Sequence, residues 1–376
     1  MTHNSEVQQW VECLEFVNRV RGGEKELRDQ GGTLQGRIRK EGVIMDEKSE
    51  KRGLSRRSFL KVAGIIGTLS VTGKAMGQMP TLVAANPLVG TFDMHVHAAP
   101  DVASRTVHDI DLAQKAKEMG MRGVVTKNHE FITNDRAYLV RQVISGIEVF
   151  GGITLNQSVG GINPVAVENM INFTGNCGKI VWLPTHDAAN HKSFFAKKPD
   201  VGGIRVIDGT GNVIPDVRKI LKLVAKADIV IATGHISSQE VLAVVKAAKE
   251  EGVRKILVTH AMQSPGELSI DDMKRCVEMG AFIEHVYLAY LMGPNAHLEW
   301  MRGWRHVSMD MYAQAIKALG AERCILATDL GQYLNPTPTD GLKEFILSLG
   351  KLGITNEQIN WMARKNPARL LGLEPL

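Results

Sequence analysis

From residue 88 onward, short apolar runs alternate with longer amphipathic runs whose apolar positions recur at the helical period. The apolar runs predict eight β-strands, at residues 88–97, 122–127, 149–155, 180–184, 228–233, 255–259, 281–285 and 324–328. The amphipathic runs predict helices between them, with Pro164 and Pro215 in first turns and with Ser237 and Thr355 opening capping boxes. Eight strand–helix units in about 290 residues predict an α/β fold, the (β/α)8 TIM barrel. A doubly wound sheet is the alternative, but no glycine-rich nucleotide-binding motif follows a strand.

Polar side chains that can bind a metal or move a proton recur where the predicted strands end. They are His95, His97, Lys127, His129, His186, His235, His260, Glu284, His285 and Asp329. The carboxyl ends of the strands meet at one face of a barrel, so this pattern predicts a single site. Within the first strand Asp93, His95 and His97 alternate and are expected on one face, where two imidazoles can bind one metal ion. Structural or hydrogen-bonding roles are equally compatible with His129, His186 and His285.

The charge of the chain is uneven. Residues 1–85 contain 14 basic and 10 acidic residues, which leaves 31 and 30 for the rest of a chain whose net charge is +5. The predicted barrel is therefore nearly neutral, which argues against a nucleic-acid partner. The four cysteines show no CxxC pairing, so neither a zinc ribbon nor a disulfide framework is indicated.

The segment around Arg56 and Arg57 closely resembles a twin-arginine export signal. Ser-Arg-Arg-Ser-Phe-Leu-Lys at 55–61 precedes a weakly apolar run at 62–73 that is too short to span a bilayer. We therefore expect residues 1–85 to be a leader and residues 86–376 to be the barrel. The resemblance implies that the twin-arginine machinery is a partner, that the protein is exported to the periplasm or beyond the cell, and that it has no stable membrane span. Met45 lies at a suitable distance from the arginine pair, so residues 1–44 are interpreted as a mis-assigned start, with a short genuine extension as the alternative.

Taken together, the strand-end residues resemble those of the amidohydrolase superfamily of metal-dependent hydrolases. The matching features are Asp93-x-His95-x-His97, a His after strands 5 and 6, an Asp after strand 8, and the closing run 366–373. This resemblance implies that His95, His97, His235 and Asp329 are metal ligands. It also implies that His260 binds a second metal or stabilises the transition state.

Strand 4 departs from that superfamily. Binuclear members place a carbamylated Lys or a Glu at its end, whereas this strand ends in Leu-Pro-Thr-His and Lys179 lies at its opposite end. Lys127, after strand 2, is the well-placed lysine. Either Lys127, carbamylated or not, takes over the bridging or charge role, or the site holds one divalent ion, and we favour one. Zinc is the first choice, with manganese, iron and nickel as alternatives.

The function expected from these residues is metal-dependent hydrolysis of a small molecule. A metal-bound hydroxide would attack an amide, a lactone or another C–N or C–O bond, with Asp329 moving the proton and His260 and Lys127 stabilising the oxyanion. Loops 160–163, 186–198 and 285–305 are expected to select the substrate, although Trp300 and Trp304 in the last fit ordinary packing equally well. The alternatives are a mononuclear decarboxylase, a phosphoesterase and an inactive exported binding protein. A homo-oligomer is compatible with the sequence.

Overall fold

Eight parallel strands form one barrel in the computed structural model, which describes residues 86–375. The strands are β1 Phe92–His97, β2 Gly123–Lys127, β3 Glu148–Thr154, β4 Gly178–Trp182, β5 Val230–Ala232, β6 Ile256–Val258, β7 Phe282–Val286 and β8 Cys324–Ala327. Each strand pairs with the next in chain order. The chain after β8 returns to β1, where the Asp329 N–H donates to the His95 carbonyl oxygen at 2.8 Å and the His97 N–H donates to the Leu330 carbonyl oxygen at 2.8 Å. The predicted (β/α)8 barrel is confirmed.

Helices follow the strands on the outside of the barrel. They are α1 Asp109–Glu118, α2 Asn134–Val143, α3 Pro164–Ile171, α4 Ala189–Ala196, α5 Pro215–Ala227, α6 Ser238–Glu250, α7 Ile270–Glu278, α8 Leu288–Leu291, α9 Met309–Leu319, α10 Pro338–Lys351, α11 Asn356–Asn360 and α12 Asn366–Leu371. Pro164 and Pro215 open α3 and α5, and both predicted capping boxes form. Across residues 86–375, no helix has both the length and the apolar character that crossing a membrane requires.

The barrel has an apolar core on each side of its strands. Val125 of β2 belongs to the cluster inside the barrel, whereas its neighbour Val124 belongs to the larger cluster between strands and helices. Because side chains alternate along a strand, Lys127 lies on the inner side with Val125. The inner core therefore changes from apolar to polar at the carboxyl ends of the strands, and this change positions the site.

Three local features differ from the predicted pattern. The first strand begins at Phe92 rather than at residue 88, because a turn precedes it in which Gly90 adopts a φ of +73°. Helices α4, α7 and the short α8 were not located by the sequence pattern. The predicted helix 355–371 is divided by a π-helical turn, Trp361–Lys365, which ends just before Pro367, a residue that has no N–H to donate. The predicted leader and its export signal lie outside the described residues.

Candidate metal centre and active site

Three buried side chains converge at the carboxyl ends of β1 and β8. His95 Nε2 and His97 Nε2 each lie 3.1 Å from Asp329 Oδ1. One ligand atom from each of the three residues falls within 4.8 Å of the others. Two imidazole nitrogens and one carboxylate oxygen are a common donor set for a divalent transition metal. These three residues can therefore hold a metal ion together. They are three of the four metal ligands expected from the sequence, the fourth being His235.

An irregularity in β1 interrupts the alternation of side chains between the two faces of the strand, and it brings both histidines into the site. Phe92 and Met94 fill the barrel interior but Val96 packs outside it, and the pairing of β1 with β2 is irregular between Asp93 and Val96. The prediction that Asp93 shares one face with the histidines through strict alternation is therefore wrong.

Asp93 instead supports the strand from beside the site. Its carboxylate accepts hydrogen bonds from the Thr328 hydroxyl at 2.5 Å, the Thr328 N–H at 3.0 Å and the His95 N–H at 3.2 Å. Burial raises its pKa to about 7, against the opposing effect of these hydrogen bonds. Asp93 thereby connects β1 to the residue immediately before Asp329.

The backbone that carries Asp329 is unusual. Asp329 adopts a φ of +54°, which aspartate tolerates better than most residues. Two residues later Gly331 adopts a φ of +124°, and a Cβ atom there would lie 1.6 Å from the His97 carbonyl oxygen. Only glycine can therefore pass so close to β1, and this close approach brings Asp329 to both histidines.

Lys127 is buried beside the three convergent residues. Its ammonium Nζ lies 3.1 Å from His95 Nε2 and 5.6 Å from the ring centroid of Trp182. Burial lowers the pKa of Lys127 to about 8, although the carboxylates of Asp329 and Glu284 oppose this effect. Trp182 fills the inner side of β4, and Lys179 remains half-buried at the other end of that strand.

Glu284 lies in the site, although the sequence analysis named it only as a strand-end residue and assigned it no role. Its Oε2 accepts a hydrogen bond from His95 Nδ1 at 3.1 Å and from the His260 N–H at 3.0 Å, and the residue is fully buried. Although burial opposes ionisation, the neighbouring His95 holds the pKa of Glu284 below its usual value. Glu284 lies two residues after Phe282, whose side chain fills the barrel interior. Because side chains alternate along a strand, this spacing could have indicated that Glu284 also points inward.

His95 contacts three charged side chains of the site, those of Asp329, Glu284 and Lys127. Burial favours its neutral form, but the Asp329 and Glu284 carboxylates outweigh burial and raise its pKa to about 9. A proton on Nε2 therefore links His95 to Asp329 in the metal-free protein. Burial also disfavours ionisation of Asp329, yet the charge of His95 and the hydrogen bonds from His95 and His97 hold the Asp329 pKa well below its usual value.

The other strand-end histidines separate into two groups. The rings of His260 and His235 lie 4.8 Å apart, and that of His260 lies 5.9 Å from the ring of His95. Burial lowers the pKa of His260 to about 4, and burial also brings the pKa of His235 well below its usual value. Both imidazoles are therefore neutral at pH 7, the form in which histidine binds metals. His235 is not one of the three residues that converge within 4.8 Å.

The second group lies around the entrance of the site. His129 Nδ1 lies 2.8 Å from the Thr185 hydroxyl, and its ring stacks on that of His186 with 3.8 Å between centroids. His191, which the sequence reasoning did not single out, lies with its Nδ1 2.8 Å from His235 Nδ1. It belongs to α4, a helix whose position no sequence signal marked.

His285 does not join the site. Its ring packs edge-on against Tyr312 of α9 at 5.4 Å, in the layer between strands and helices. Neighbouring residues of a strand point to opposite sides, so the inward direction of Glu284 requires His285 to point outward.

Comparison with known proteins places this barrel in a family. The sequence model of a family of unknown function (DUF6282) matches residues 90–284, slightly more than half of the chain. The chain belongs to the DUF6282 family. The matched segment contains His95, His97, Lys127, His235, His260 and Glu284, whereas Asp329 lies beyond it. No relative was found among curated proteins.

Solved structures share the fold of this DUF6282 protein at low sequence identity. An amidohydrolase from Pseudomonas aeruginosa is 12% identical, with a TM-score of 0.53 over 76% of this chain and 96% of that one. An organophosphorus hydrolase from Deinococcus radiodurans is 16% identical, with a TM-score of 0.50 over 77% of this chain and 94% of that one. These likenesses support the barrel architecture.

Proposed function

We propose that this protein is a metal-dependent hydrolase that cleaves an amide, a lactone or another C–N or C–O bond of a small molecule. The observation that carries the proposal is the buried group of His95, His97 and Asp329. These residues would hold one divalent ion, with zinc as the first choice. When bound, such an ion acts as a Lewis acid and lowers the pKa of a water molecule towards neutrality.

The protein residues around this group suit the remaining parts of hydrolysis. Asp329 is ionised and lines the cavity above the site, so its carboxylate can accept a proton from water and return it to the leaving group. Lys127 is positioned to stabilise negative charge that develops on a substrate oxygen, and neutral His260 can donate a hydrogen bond there. Glu284 holds the His95 ring in place through Nδ1.

Metal analysis combined with an activity screen tests this proposal. The full-length protein would be assayed for bound metal and for hydrolysis of lactones, amides and phosphoesters as isolated, after chelation, and after zinc is restored. We expect His97→Ala to lose metal and activity together. His297→Ala, at an exposed histidine, is the matched control and should retain both. Wild-type protein with neither bound metal nor metal-dependent activity would contradict the proposal.

We also propose that the protein is exported through the twin-arginine pathway, because residues 55–61 match the signal pattern. Changing Arg56 and Arg57 together to Lys should retain the protein in the cytoplasm, as measured by cell fractionation. Arg52→Lys, which changes a nearby arginine outside the pair, should leave export unchanged. Unaltered export of the Arg56→Lys/Arg57→Lys variant would contradict this interpretation of the leader.

A further inference from the structure

The site opens into a cavity with one aromatic wall. The cavity has a volume of about 700 Å³, and Asp329 and His235 lie at its inner end. From His235 the ring of His191 follows at 4.9 Å, then that of Phe195 at 4.7 Å, and then that of Trp304 at 4.9 Å. These four rings therefore form one cluster along the cavity wall, in which Trp304 is buried against His235 and Phe195 is 40% exposed.

Large apolar side chains are concentrated around this mouth. Phe195, Trp300, Tyr333 and Leu334 all line the cavity, and they are 40%, 45%, 59% and 62% exposed. Leaving four such side chains in contact with water is unfavourable, at about 25 cal/mol for each Å² of apolar surface. Such clusters beside a concave site typically mark the place where an apolar ligand binds.

The cavity offers little to attract an ionised substrate. Of the described residues that line it, the charged ones are Arg105 and Asp329. Arg105 is already paired, because its Nε and Nη2 both lie 2.7 Å from Asp101 Oδ2, and its side chain is only 6% exposed. The Asp101 carboxylate therefore already neutralises the charge of Arg105, and the remaining charged lining residue, Asp329, repels an anionic substrate.

We propose that the cavity binds a neutral substrate whose bulky part is an acyl chain or a ring. That part would pack on Phe195, Trp300 and Trp304, and the reactive carbonyl would point to Asp329. The inference deepens the proposed function and rests on it for the bond that reacts, but binding of the apolar part requires no turnover.

Calorimetry with two unreactive neutral ketones and one fatty-acid anion tests the binding mode. The probes are cyclopentanone, 2-pentylcyclopentanone and octanoate, added to the full-length protein. Burial of a methylene contributes about fourfold in affinity, so 2-pentylcyclopentanone should bind at least about thirtyfold more tightly than cyclopentanone. After the metal is removed by chelation, octanoate should bind at least about tenfold more weakly than 2-pentylcyclopentanone, because Arg105 is already paired with Asp101 and the ionised Asp329 repels a carboxylate. Equal affinities for the two ketones, or tighter binding of octanoate, would overturn the proposal.

Matched variants locate the binding surface. Phe195→Ala combined with Trp300→Ala should weaken 2-pentylcyclopentanone about tenfold and leave cyclopentanone unchanged. Phe131→Ala removes a phenylalanine that is 55% exposed and does not line this cavity, so it should change neither affinity. An equal loss in the Phe131→Ala protein would overturn the assignment. Chain-length dependence in a protein without hydrolytic activity would support this inference while contradicting the proposed hydrolysis, so the two failures can be distinguished.

Discussion

Replacing Glu284 with Gln removes a negative charge behind His95 while preserving the shape of the side chain. Both hydrogen bonds that Glu284 accepts end on the same atom, Oε2, from His95 Nδ1 at 3.1 Å and from the His260 N–H at 3.0 Å. A glutamine oxygen at that position could keep both hydrogen bonds in neutral form. Its amide group would then replace Oε1, a buried atom with no hydrogen-bond partner among the described residues.

The cost of this change follows from the charge. Hydrogen bonds to an ionised group are about twice as strong as neutral ones, so two of them lose about 2 kcal/mol together. The pKa of Glu284 is held below its usual value, which shows that folding favours the ionised form. This contribution to stability is therefore present above the unfolded pKa of 4.5 and is lost as the pH falls through the lower folded pKa. Because the charge also orients His95, we expect zinc affinity to fall 10- to 100-fold.

Two assays measure these effects separately. Urea unfolding of the metal-free protein gives the free energy of unfolding, and competition with a chromophoric chelator gives the zinc dissociation constant. Glu240→Gln is the matched control, since Glu240 is 5% exposed and accepts hydrogen bonds from Ser237 and Val206 away from the site. It should lower stability without changing zinc affinity. If Glu284→Gln bound zinc as tightly as the wild type, Glu284 would not orient His95.

Three further changes test other parts of the site. Asp329→Asn should lower kcat at least about 100-fold in steady-state assays while circular dichroism shows a retained fold, since asparagine tolerates the positive φ; full activity would mean that another group accepts the proton. Gly331→Ala should destabilise the protein by more than about 3 kcal/mol in urea unfolding, because its Cβ would clash with the His97 carbonyl oxygen. Gly353→Ala, where φ is +82° and no atom lies within 4 Å, should lose only about 1 kcal/mol, and equal losses would refute the role of the clash. Zinc binding should release at least about one proton at pH 7, because His95, whose pKa is about 9, must lose its proton to bind metal; calorimetry in buffers of different ionisation enthalpy measures this release, and a buffer-independent heat at pH 7 would contradict it.

The barrel and the central part of its site could be predicted because both depend on periodicity. Apolar runs separated by amphipathic runs give parallel strands, and parallel strands bring their carboxyl ends to one face. His95, His97 and Asp329, although more than 230 positions separate the first from the last, follow strands that are neighbours in the closed barrel. The predicted strand ends were therefore enough to bring these three residues together.

The remaining features depend on geometry that a sequence pattern does not contain. At the end of β7 both Glu284 and His285 are plausible site residues, and the direction of each is decided by one position of register. In β1 the irregular pairing between Asp93 and Val96 interrupts the alternation of side chains and so alters which of them face inward. His191 reaches the site from a helix that no capping signal marked. A composition-based search for histidines accordingly selects His285 and misses Glu284.

The charges around His95 support our proposal that the site holds one metal ion and not two. With neutral imidazoles, Lys127 contributes +1 and the carboxylates of Asp329 and Glu284 contribute −1 each, which gives a net charge of −1 in a buried site. One divalent ion changes this to +1, an excess that suits negative charge developing on a carbonyl oxygen. A second ion would raise it to +3 beside the buried Lys127 ammonium. The inner side chain at the end of β4 is Trp182, whose indole carries no negative charge to compensate that excess.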